Sequence, residues 1–66
     1  MTTVQSIALV TESLLPYMDE GNGAEMIPTA MADLLADMRH MATVLGLDWA
    51  DITEQAERHF LSEQQA

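Results

Sequence analysis

The chain contains no cysteine and no lysine. The first absence excludes disulfides, zinc–thiolate centres, iron–sulfur clusters and thiol nucleophiles together, and is compatible with a reducing cytosol. The second leaves Arg39 and Arg58 against eleven Asp and Glu, for a formal net charge of −9. A protein that grips phosphates needs clustered Lys and Arg, so the usual nucleic-acid-binding footprint is excluded. Adhesion to an anionic membrane leaflet is disfavoured for the same reason. No apolar run approaches the ~20 residues that span a bilayer. No basic residue precedes Arg39, so the charged start of a signal peptide is missing and a cytoplasmic protein is expected. Aromatics are restricted to Tyr17, Trp49 and Phe60.

What is present fits one small domain. A chain of this size buries only about 60% of the surface its unfolded form exposes, so its stability is marginal. The hydrophobic fraction is 48%, which removes the low-hydrophobicity half of the disorder signature despite the high charge. Six methionines make for an adaptable apolar interior.

The expected fold is all-α: a small three-helix domain, or two helices plus an N-terminal element. Over residues 1–18, Val4, Ile7, Ala8, Thr11, Leu14, Leu15 and Met18 recur at helical spacing. The β-branched residues there, and the run Ile7-Ala8-Leu9-Val10, leave a short strand open as the alternative. Pro16 should end or kink a helix and disfavours helical geometry at Leu15. Residues 19–28 read as a loop, centred on Asp19-Glu20-Gly21-Asn22-Gly23; the order of oxygen ligands needed for a calcium loop is missing. A helix is expected over 29–45, starting at Pro28 or Thr29 and ending before Gly46. Its apolar arc is Met31, Leu34, Leu35, Met38, Met41, Ala42 and Leu45, backed by a small-residue strip of Ala32, Ala36 and Thr43. A further helix is expected over 48–61, with Asp48 as N-cap and Leu47 and Ile52 at the hydrophobic-staple positions. Its buried face should be Trp49, Ile52, Ala56, His59 and Phe60, and residues 62–66 should form a loose tail.

Catalysis is hard to assemble from these residues. No serine lies in a Gly-x-Ser-x-Gly turn, and there is neither a Gly-rich phosphate loop nor a His-Glu-x-x-His helix. No enzyme and no cofactor are expected. Asp33, Asp37 and His40 share one helical stripe, and with His59 they are the candidates for a divalent-metal site. Helix-dipole and side-chain pairing roles explain the same residues without a metal. The remaining signal is charge. One-sided charge destabilises a compact body by self-repulsion, and it can steer the protein toward a basic groove. Asp33, Asp37, Asp48, Asp51, Glu54 and Glu57 are the candidate partner-binding acids.

The stretches Asp33-Leu34-Leu35-Ala36-Asp37-Met38-Arg39-His40, Gly46-Leu47-Asp48-Trp49 and Ala56-Glu57-Arg58-His59-Phe60 resemble a group of small acidic proteins of bacteriophages and mobile elements, mostly without assigned activity. Their pattern is D-L-L-x-D-x-x-H, then G-x-D-aromatic, then A-x-x-H-aromatic. In size and acidity alone the chain also resembles anti-CRISPR and other DNA-mimic inhibitors. The resemblance implies a phage-type inhibitor in the host bacterial cell. Its partner would be a host protein with a basic nucleic-acid-binding surface, such as a CRISPR effector complex. The alternatives are a helix-pairing regulatory or structural module, which includes a homodimer, and a metal-binding accessory protein.

Overall fold

The computed structural model describes residues 2–18 and 23–64, with side chains described for 2–18 and 26–64. Among these residues the fold is all-α. Helix α1 spans Thr3–Leu14, α2 spans Gly23–Val44 and α3 spans Trp49–Gln64, with a 3-10 turn at Leu15–Tyr17 after α1.

The N-terminal segment is helix rather than strand, and its first turn shows why. Thr2 caps α1: its hydroxyl accepts from the Gln5 N–H at 3.1 Å, while the Gln5 side chain accepts from the Thr2 N–H at 2.9 Å. This reciprocal capping box satisfies two donors that a bare helix end leaves open. Farther along, the hydroxyls of Thr11 and Ser13 donate to the carbonyls of Ile7 and Leu9 at 2.7 and 2.9 Å, so these residues are absorbed into the helix. Leu15 departs from expectation. It keeps right-handed helical angles (φ −51°, ψ −44°), and the chain turns extended only at Met18 (φ −104°, ψ 132°). The tighter 3-10 turn accommodates Pro16, closed by the Met18 N–H donating to the Leu15 carbonyl at 3.2 Å.

The start of α2 is a correction. The helix begins at Gly23 instead of near Thr29, so Pro28 lies inside it and residues 23–28 are not loop. Pro28 lacks one N–H for the backbone ladder, and that local loss does not stop the chain from continuing helically on either side. Ala30, two residues past Pro28, is fully buried. The loop expected at 19–22 lies outside the described residues, as do 65 and 66 of the expected tail. Residues 62–64 of that tail belong to α3.

The corner between α2 and α3 follows the sequence closely. Gly46 takes φ +72°. The Leu47 N–H donates to the Ala42 carbonyl at 2.8 Å and the Gly46 N–H to the Thr43 carbonyl at 3.2 Å, the two bonds of a Schellman end. Two residues later Asp48 caps α3, its Oδ1 accepting from the Asp51 N–H at 3.2 Å.

Helix α1 packs on α2, and α2 packs on α3. Leu14, Ala30 and Ala42 are buried; no polar residue is buried among the described ones. The molecule measures 35 × 34 × 15 Å, so its short dimension is little more than one helix thickness. Its radius of gyration is 13.5 Å, where a compact chain of this length has about 11 Å. The expected buried faces therefore need correction. Of the α2 arc only Ala42 is buried and Leu34 half-buried, while Met31, Leu35, Met38, Met41 and Leu45 are exposed. On α3, Trp49 and Ile52 are half-buried, but Ala56, His59 and Phe60 are exposed. Periodicity located the apolar faces correctly, yet three helices in one layer cannot cover them.

Candidate functional site

The structure divides the six candidate acids into two groups, all exposed. Asp33 and Asp37 lie on α2 beside Tyr17 of the 3-10 turn. The Asp37 carboxylate raises the Tyr17 phenol above its usual 10.0, first through a hydrogen bond to the hydroxyl. Partial desolvation and the charges of Asp37 and Asp33 add to the shift in that order. Tyr17 was not singled out from sequence. Its partner is sixteen positions or more away in the chain, and no local pattern announces such a pairing.

The other four acids form a row. Asp48, Asp51, Glu54 and Glu57 recur every third residue at the cap and along α3. Each step advances about 4.5 Å along the helix axis. A residue turns about 100° around that axis, which places Asp51 and Glu54 on the side away from Trp49, Ile52 and Phe60 and Glu57 on the flank, about 60° from Phe60. Asp48 also has a structural task as the α3 cap.

The metal candidates do not assemble. Among the described residues no three His, Asp or Glu side chains come together in a way that could hold an ion, so Asp33, Asp37, His40 and His59 form no such cluster.

Opposite the acidic row the surface is apolar. A groove of about 570 Å³ runs between α1 and α3 over the N-terminal half of α2, lined by Ser6, Ile7, Val10, Thr11, Leu14, Ile27, Met31 and Phe60. The Thr11 hydroxyl is already bonded within its helix. A smaller hollow of about 170 Å³ lies at the corner, between Met38, Met41, Ala42, Leu45, Leu47, Trp49 and Ile52. Leu47 and Ile52, the expected staple pair, both line it. The small-residue strip Ala32, Ala36 and Thr43 is exposed.

Comparison of the chain with protein-family models, with curated proteins and with solved structures finds no match. Among the described residues no helix is long and apolar enough to cross a membrane. Function must therefore be read from two surfaces, one anionic and one apolar.

Proposed function

We propose that the protein acts by binding rather than catalysis, and that the α3 acidic row docks on a cationic, nucleic-acid-binding surface of a protein partner. Nucleic acid is then kept off that surface by competition. The row itself carries the reading. Its charges advance about 4.5 Å apiece, against 3.4 Å per phosphate along one strand of a duplex. The charges also turn about 60° around the axis at each step, so the row is a sparse copy of a phosphate strand that winds half-way round the helix.

Two further observations support a role beyond solubility. No helix has a basic residue in its last turn, so each C-terminal dipole end lacks its favourable counter-charge. Each such omission forgoes about 0.3–1 kcal/mol. The chain thus tolerates an electrostatic disadvantage that one or two lysines would relieve. The potential also acts on its surroundings, since Asp37 and Asp33 together hold back ionisation of Tyr17. Charge of this kind supplies encounter rate and orientation more than affinity.

The test is capture from a bacterial lysate at low salt with immobilised protein, followed by a salt gradient and then by duplex DNA as competitor. A captured protein that elutes early in the gradient and is displaced by DNA supports the proposal. Capture that survives high salt, or that a variant with Asp51, Glu54 and Glu57 all changed to Lys retains, contradicts it.

A further inference from the structure

The apolar side of the protomer is unfinished. A folded monomer of 7.3 kDa exposes about 4,200 Å². This chain exposes 5604 Å². The unfolded chain would expose roughly 10,600 Å², so the protomer buries just under half of it, where about 60% is usual. The excess, roughly 1,400 Å², lies well above the ~800 Å² that each partner contributes to a standard stable interface.

Its location is equally informative. Domains bury apolar faces by stacking one layer of secondary structure on another, and this chain supplies a single layer about 15 Å thick. Residues pointing into the groove remain open: Ile7 is 60% exposed, Phe60 54% and Met31 46%. The groove lining carries no charged residue; Glu63 stands at its rim, in a hollow that shares Ser6, Ile7 and Phe60 with the groove. Two copies can therefore meet face to face across an uncharged centre, with Glu63 of each at the rim of the contact.

We infer that a second copy of this chain covers the groove between α1 and α3, making a two-layer helical dimer in which Asp51 and Glu54 of each α3 face outward. The contact is isologous, the commonest arrangement for soluble homo-oligomers, and it uses the same groove residues on both sides. Each protomer's Phe60 and Met31 gain the cover that their own chain does not give them. This inference stands independently of the acidic-row proposal, because either surface can work without the other.

The experiment is sedimentation velocity on the full chain across the micromolar range at physiological salt, with far-ultraviolet circular dichroism in parallel. The wild type should run as a dimer. Met31→Glu, which places a charge in the groove on both sides, should weaken association by more than about a hundredfold. Ala32→Glu adds the same charge to the exposed strip of α2 and should leave the dimer intact. If Met31→Glu also loses helix, Ile7→Ala decides. It removes apolar contact from an open side chain without adding charge, and should weaken the dimer by about tenfold or more with helicity kept at high concentration. A monomeric wild type, or a dimer indifferent to Ile7→Ala, overturns the inference.

Discussion

The two long faces of this molecule obey opposite rules. On the outward face and flank of α3, Asp51, Glu54 and Glu57 are separated from one another by whole helical steps and bathed in solvent, and their influence is long-ranged and screened by salt. On the groove face, Ile7, Val10, Met31 and Phe60 exert no force until something touches them, and their contribution scales with area. Salt should therefore loosen whatever the first face holds. It should tighten whatever the second face holds, because two chains of charge −9 repel as they approach. The proposed recognition surface and the proposed assembly surface should thus respond to ionic strength with opposite signs.

The largest effect should come from severing one face while sparing the other. Changing Asp51, Glu54 and Glu57 together to Lys should reduce retention of a cationic partner by more than about a hundredfold. Solution mass should stay that of the wild type, and both can be read from one preparation by affinity capture and sedimentation. A parallel loss of both properties would mean that the faces are not separable.

Next comes the corner that holds α3 in place. A residue with a Cβ at Gly46 meets no neighbouring atom within 4 Å, so Gly46→Val is opposed only by the φ of +72°. The expected loss is about 1–2 kcal/mol in chemical denaturation. Since the corner orients both the row and the groove, both activities should fall together. Asp48→Ala should cost about 1 kcal/mol through loss of the α3 cap, and should weaken partner capture slightly by shortening the row. Comparison with Asp48→Asn separates the two roles, because asparagine caps without charge.

The smallest effect is at Tyr17. Its folded-state ionisation lies above 10.0, so the folded protein holds this proton more tightly than the unfolded chain does. That stabilisation is fully present below pH 10.0 and is lost as pH rises through the folded value. Near-ultraviolet absorbance titration should show Asp37→Asn moving the phenol back toward its ordinary value. An unchanged titration would place Tyr17 away from the carboxylates.

What the sequence discloses about this fold is what is local. Gly46 and Asp48 mark the α2–α3 corner because each acts within one turn of itself, and both are found in those roles, while Leu47 and Ile52 line one hollow there. The Thr2–Gln5 capping box was equally legible as a T-x-x-Q signature, though the β-branched residues after it drew attention to a strand. Pro28 misled because a start signal and a tolerated interior proline look the same in one dimension. The apolar arcs were placed on the correct sides of α2 and α3, but amphipathicity says only that a face wants cover. It does not say whether the cover comes from the same chain, and here Met31, Met38 and Phe60 show that it does not. The α3 row is visible as an every-third-residue spacing, whereas the placement of Asp33 and Asp37 beside Tyr17 depends on tertiary packing and has no local signature.

The most direct test of two oppositely responding faces is sedimentation equilibrium of the unmodified chain in a series of sodium chloride concentrations. The account predicts a dimer whose dissociation constant falls as salt rises, as screening removes the repulsion between like-charged protomers. A dimer that dissociates with added salt, or a monomer at every ionic strength, would contradict it.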